Sequence, residues 1–284
     1  MPVLRDAIRL VGALVASACL AAVFAGCAAA EEKTAPDAGI SLPAVDAGFD
    51  YQLGGGYQPP DGVSVVVRDR LEDPAGNGYD ICYVNGFQTQ PAESGDFARQ
   101  HPDLVVHVDG APLADPGWPD EFVLDTSSDA KRAAIAEIVG PWITGCRDAG
   151  YDAVEIDNLD SYTRSAGILS EDDNLALAAE YARIAHEADL AIAQKNTADA
   201  AAVLAGLGYD FAITESCREF DECETYTAVY PVVLDIEYSD ELGEAGFGQA
   251  CRTPVPGVVM ILRDHDLLVP GDDGYLYRAC DSDG

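Results

Sequence analysis

The sequence predicts an α/β fold, a (β/α)8 TIM-like barrel with some shortened or missing outer helices, and three observations carry that expectation. Eight short apolar, β-branched runs recur at 49–53, 63–68, 81–84, 153–157, 191–194, 211–214, 232–236 and 258–262. Helix-like segments at 128–149, 172–188, 198–207 and roughly 239–251 alternate with the later runs. A polar residue stands at or just past most run ends: Asp69, Asn85, Asp157, Asn196, Glu215, Glu237 and Asp264. Strands alternating with helices imply a parallel sheet, and eight of them imply a closed barrel whose mouth is ringed by strand ends. An open doubly wound sheet is the competing architecture. Gly54-Gly55-Gly56 lacks the following helix that a dinucleotide-binding turn requires, so it reads as a plain turn.

Taken in order, the connections between the first three runs are too short for full helices. The strand-like stretch 104–108 fits no barrel strand and is expected to form a hairpin in an excursion before the fourth one. In 128–149, Ser128 is placed to cap the helix, and Ala134, Ile135, Ile138, Val139 and Trp142 form an apolar stripe. Pro141 is expected to kink or split that helix. The fourth run ends in Glu155-Ile-Asp157-Asn-Leu-Asp160. Acids are poor strand formers, so their clustering at a strand end requires a reason, either a site or a solvated acidic loop.

The first 27 residues read as an export signal: Arg5 and Arg9 precede an apolar stretch, 10–25, too short to span a membrane. Phe24-Ala-Gly-Cys27 is similar to the lipobox of bacterial lipoproteins, which makes Cys27 the expected lipidation site and the lipid the only membrane attachment. Cleavage after Ala30 with simple secretion is the alternative. Residues 28–48 read as a tether and 49–284 as the barrel domain. Six cysteines remain beyond the signal, which in an exported chain suggests three disulfides. The expected pairs are Cys217 with Cys223, Cys251 with Cys280 and, least securely, Cys82 with Cys146. No cysteine or histidine has zinc-ligand spacing, and neither metal nor cofactor is expected.

Sixteen basic against fifty acidic residues give a net charge of −34. That field excludes nucleic acid as a partner and attracts polycations, although it also serves solubility alone. A monomer is expected.

Asp157 and Glu215 end the fourth and sixth runs, so a barrel can bring them face to face. Two carboxylates flanking a glycosidic bond suffice for its hydrolysis, one protonating the leaving oxygen while the other attacks carbon or activates water. Pairing of these acids with Lys195 or Arg263 is the plainer reading. Lys195 and Asn196 lie on the strand between them, where Lys195 can hold a carboxylate ionised. Tyr83, Phe87, Trp118, Tyr162 and Tyr238 are candidate sugar platforms, with packing as the commoner role of any one aromatic. There is no Gly-x-Ser-x-Gly elbow and no phosphate loop.

Several segments resemble one family, the endo-α-1,4-polygalactosaminidases of glycoside hydrolase family 114. They include Phe49-Asp-Tyr-Gln-Leu-Gly-Gly, Ile81-Cys-Tyr-Val-Asn-Gly-Phe and Trp118-Pro-Asp-Glu-Phe-Val-Leu-Asp125. Asp152-Ala-Val-Glu-Ile-Asp-Asn-Leu-Asp-Ser-Tyr162, Gln194-Lys-Asn196, Glu215-Ser-Cys217, Ile236-Glu-Tyr238 and Leu262-Arg-Asp264 follow in order. The chain departs at Ile156, where the family often has proline, and in a short region between the first and third strands. The resemblance implies a barrel hydrolase of galactosamine-rich exopolysaccharide with its catalytic carboxylates at Asp157 and Glu215. We assign Asp157 as nucleophile and Glu215 as acid/base, although the resemblance itself does not order the two roles. It also implies site positions at Glu155, Asp160, Lys195 and Glu237. The expected partner is therefore a cationic or amino-sugar polysaccharide. A non-catalytic glycan-binding surface lipoprotein and a hydrolase of another exopolysaccharide are the alternatives.

Overall fold

The computed structural model describes residues 39–280. The expected signal segment, Cys27 and most of the tether lie outside those residues. What is described of the tether is docked: Pro43 is buried, Ile40, Leu42 and Ala47 pack on the barrel, and the Ser41 carbonyl accepts from Tyr79.

The elements run β1 (Gly48–Gln52), β2 (Val63–Asp69), β3 (Tyr79–Asn85), α1 (Ser94–Gln100), β4 (His107–Val108), β5 (Ala111–Pro112), α2 (Asp129–Ala149) and β6 (Ala153–Asp157). They continue with α3 (Glu171–Glu187), β7 (Ala191–Lys195), α4 (Ala201–Gly206), β8 (Phe211–Glu215) and α5 (Cys223–Thr227). The chain then forms β9 (Val233–Tyr238), α6 (Gly243–Arg252), β10 (Val258–Arg263) and β11 (Tyr277–Ala279). The sheet order is β1-β2-β3-β6-β7-β8-β9-β10-β11, parallel throughout except for the β10–β11 pair. The eight expected runs are its eight parallel strands, and they roll into a near-closed barrel. The short β4–β5 hairpin forms the excursion, its strands beginning later than the run 104–108.

Side chains alternate across this sheet with period two. Tyr51, Val67, Ile81, Ala193, Ile213 and Ile236 fill the interior, while Cys82, Val84, Val154, Ile156 and Ile192 face α2 and α3. That parity aims Cys82 at α2, where it is bonded to Cys146; the other disulfides are Cys217–Cys223 and Cys251–Cys280, as expected.

Ser128 caps α2 through its side chain, and Ser170 and Asp173 form a capping box on α3. Pro141 does not split α2, which runs on to Ala149. The carbonyl that its missing N–H leaves unpaired belongs to exposed Glu137, within reach of water. The expected helix 198–207 is a 3-10 turn followed by the short α4, and the segment expected from 239 becomes helical only at Gly243. Helices α1 and α5, of 7 and 5 residues, are too short for a visible period.

No strand ladder joins β1 to β10. Arg263, fully buried at the end of β10, crosses that seam instead. Its guanidinium donates to the Tyr51 carbonyl and to Asp50 on β1, and to the Leu276 and Leu268 carbonyls. Gly54 is needed beside it, since a Cβ there would lie 2.3 Å from the Leu267 carbonyl oxygen. Breaking a buried ion pair from one side costs about 3–5 kcal/mol. Arg263→Met is therefore expected to lower the urea midpoint by that amount of stability; an unchanged midpoint would show that the seam closes without it.

Candidate active site

Strands β6, β7 and β8 deliver Glu155, Asp157, Lys195 and Glu215 to the barrel interior, because these residues share the parity of Ala153, Ala191 and Ile213. Lys195 is 2% exposed, and its ammonium is the hub. It lies 3.3 Å from Glu215 Oε2, 3.4 Å from Glu155 Oε1 and 3.8 Å from Asp157 Oδ2. It also donates to the Tyr51 hydroxyl at 3.0 Å, which in turn donates to Glu155 Oε1 at 2.8 Å.

Each carboxylate has its own second set of partners. Tyr83 donates to Asp157 Oδ2 at 2.7 Å, and the Asn158 N–H donates to Oδ1 at 2.7 Å. Tyr238 donates to Glu215 Oε1 at 2.5 Å and Asn196 Nδ2 donates to Oε2 at 3.0 Å, while Asn196 Oδ1 accepts the Glu215 N–H. Asn158, Asn196 and Ser216, immediately after the three strands, have positive φ of 64°, 49° and 59°. Asparagine tolerates that region better than most residues, which suits it to the sharp exit a strand-end site requires.

The charge distribution follows from burial against pairing. Burial lowers the proton affinity of Lys195, but the surrounding Asp157, Glu215 and Glu155 outweigh it and hold the ammonium charged. Glu155 lies deepest, and burial pushes it up to about 7 in spite of Lys195. Partial burial alone would raise Glu215 as well. Lys195 and the bonds from Tyr238 and Asn196 overcome that and hold it below the usual carboxylate range. The Glu215 side chain is 31% exposed and borders a pocket of about 340 Å³.

Other expected site residues sit elsewhere. Asp160 pairs with Arg164 at 2.8 Å. Tyr162 packs on the small cluster of Val106, Val123 and Leu169. Asp69 accepts from the Leu71 N–H and from Gln90, fixing its own loop. Phe87 is fully buried against Tyr181 and is no platform. Glu237 and Asp235 take the opposite parity on β9 from Tyr238 and point away from the interior. There Glu237 accepts the Arg218 and Glu219 N–H groups and Asp235 accepts that of Cys217, so the two support the loop after Glu215. Burial and the neighbouring Asp235 push Glu237 well above the usual carboxylate range. Burial pushes Asp235 up as well, against the bonds it accepts from Thr214 and the Cys217 N–H.

Groups not foreseen from the sequence are Tyr51, which completes the Lys195 hub, and Arg164, which donates to Asp115, Asp160 and Asn158. His265 stacks on Tyr238 with ring centres 4.2 Å apart. Strand parity signals Tyr51; nothing local marks Arg164 or His265.

The glycoside-hydrolase family GH114 model matches residues 29–284, and the chain belongs to that family; it is a glycoside hydrolase. Among solved structures, Ega3 of Aspergillus fumigatus, determined in complex with galactosamine, is similar at TM-score 0.68 and 20% identity, over 87% of this chain and 99% of that one. The glycoside hydrolase domain of PelA from Pseudomonas aeruginosa is similar at TM-score 0.53 and 15% identity, over 82% of this chain and 98% of that one. No curated protein matches the chain.

Removing the hub charge leaves three carboxylates crowded without a cation. Their folded-state proton affinities then rise above the unfolded values, so the folded state becomes less stable as pH rises through that window. Lys195→Met is expected to be destabilised most at neutral pH, with the deficit shrinking towards pH 4. Parallel pH–stability curves for variant and parent would exclude this account.

Proposed function

We propose that this family GH114 chain is an exported hydrolase that cleaves α-1,4-galactosaminidic bonds in galactosamine-rich polysaccharide. The observation that carries the proposal is the shared ammonium of Lys195, which gathers Asp157 and Glu215 into one charge cluster, with Glu215 opening onto a pocket. In this reading Asp157 is the nucleophile and Glu215 the acid/base. Lys195, with Tyr238 and Asn196, keeps Glu215 ionised in the free protein. Sugar entering between the two carboxylates displaces donors and water from Glu215, the condition under which it takes up the proton it must deliver. Tyr83 and Tyr238 orient the two carboxylates, and Asn196 fixes Glu215. Glu155 lies beneath as a counter-charge to Lys195 rather than a sugar contact. Asp160, Tyr162, Asp69 and Glu237 are assigned to supporting the mouth loops.

The amino-sugar substrate is supported by the net charge of −34 and by the galactosamine held by similarly folded Ega3. Three disulfides are consistent with an oxidising compartment. A lipid on Cys27, about twenty residues ahead of the barrel, is the proposed attachment, and the enzyme is proposed to act as a monomer.

A reducing-end assay against a panel of polysaccharides, including partly deacetylated galactosaminogalactan, tests the substrate. Asp157→Asn and Glu215→Gln are nearly isosteric and are each expected to lower turnover by at least ~10³-fold with the fold intact by circular dichroism. Near-normal turnover in either would remove that residue from the mechanism. A glycan binder without activity would show saturable binding and no new reducing ends in the parent protein.

The charge makes a separate expectation. On deacetylated polymer kcat/KM should fall markedly with added salt, since screening shortens to ~3 Å at 1 M. On the fully N-acetylated polymer it should start lower and change little. Faster cleavage of the acetylated form at low salt would leave the acidic surface with no part in substrate choice.

A further inference from the structure

The pocket beside Glu215 has two walls that the acid pair does not explain. Singly exposed apolar side chains are ordinary, but exposed apolar side chains gathered in one cleft mark a binding surface. Trp118 and Phe220 are 60% and 63% exposed, and both line this pocket. They come from separate loops, one in the excursion before α2 and the other after β8.

Both loops are ordered in advance. Asp115 accepts the Gly117 and Trp118 N–H groups and is itself held by Gln88 and Arg164. The Phe220 N–H bonds to the Ser216 carbonyl inside the Cys217–Cys223 loop, which rests on Asp235 and Glu237. Rings presented on fixed backbone bind with less ordering cost. Two further carboxylates, Glu222 and Glu241, border the same pocket. Glu241 is oriented by the Ser216 hydroxyl at 2.5 Å.

We propose that Trp118 and Phe220, with Glu222 and Glu241, form a subsite for one 2-amino-2-deoxyhexopyranose residue on the Glu215 side of the cut bond. Pyranose rings present an apolar face of C–H groups that stacks on an aromatic ring. The ammonium at C2 is drawn both to the aromatic faces and to the two carboxylates. Neither Asp157 nor Glu155 lines this pocket, whereas Glu215 and Asn196 do. The sugar seated there is therefore the neighbour whose bridging oxygen Glu215 protonates. This assignment of the leaving-group side rests on the proposed function; the aromatic and acidic walls do not.

The chain contains two tryptophans, and the other, Trp142 on α2, lies under Arg70 at 4.2 Å, away from the pocket. Intrinsic fluorescence thus reports on Trp118. Galactosamine oligomers titrated into Asp157→Asn protein are expected to change the emission saturably. The change should vanish in Asp157→Asn/Trp118→Phe, and Phe220→Ala in the same background should weaken binding by roughly tenfold, the upper range for one aromatic face. Galactose oligomers without the amino group should bind at least several-fold more weakly, and Glu222→Gln/Glu241→Gln should erase that difference. Cleavage of galactosamine polymer by the parent protein with a silent Trp118 would overturn the subsite and leave the hydrolase. A saturable Trp118 response to the oligomers without any cleavage would keep the subsite and overturn the hydrolytic reading. Equal affinity for amino and amino-free oligomers would overturn the assigned ligand class.

Discussion

The site is organised around one buried ammonium. A lysine taken out of water is tolerated only where opposite charge surrounds it, and here three carboxylates and a tyrosine hydroxyl do so from three other strands. The constraint runs in both directions. Lys195 cannot remain charged without Asp157, Glu155 and Glu215, and those acids cannot be so close together without Lys195. The strand register that brings them together is thus tied to the charge balance: slipping β7 by one residue would turn the ammonium out towards the helices. The outer layers, in which α2 and α3 cover β3, β6 and β7, keep that register shut.

The hub also explains why two acids on the strands flanking β7 differ. Glu155 is deeper and has one unpaired oxygen, so burial dominates its proton affinity. Glu215 lies at the rim with donors on both oxygens, so pairing dominates. Depth along a strand, two residues in the case of Glu155 and Asp157, is enough to separate a fully buried acid from one that is 19% exposed.

Much of this was legible before any coordinates. The eight runs locate the parallel strands because barrel strands buried on both faces must be apolar throughout. Polar residues at their ends locate the mouth. Reading strand ends without parity is what misplaces Glu237: it adjoins Tyr238 in sequence but lies on the other face of β9, under a loop. Asp160 and Tyr162 lie beyond a strand, where the chain turns through a 3-10 segment and no periodicity tells direction. The Trp118–Phe220 pocket was out of reach for a different reason, since about a hundred residues separate its walls and only the closed barrel brings their loops over one cleft. The Cys217–Cys223 disulfide was easier, because only five residues separate its cysteines, whereas Cys82–Cys146 follows from the outward parity of Cys82 only once that strand is in place.

The seam between β1 and β10 has a consequence for the order of assembly. A barrel whose first and last parallel strands meet through side chains is, during synthesis, an open sheet with an unprotected edge at each side. The guanidinium that bridges the gap belongs to the last of those strands, so a chain emerging amino end first cannot close until nearly all of it is available. The Cys82–Cys146 bond lies within the first 146 residues and can lock β3 to α2 well before then. The Cys251–Cys280 bond joins segments on either side of β10 and therefore marks completion. Oxidation of that last pair thus reports that β10 and β11 have emerged and folded together, the point from which the first strand can be covered.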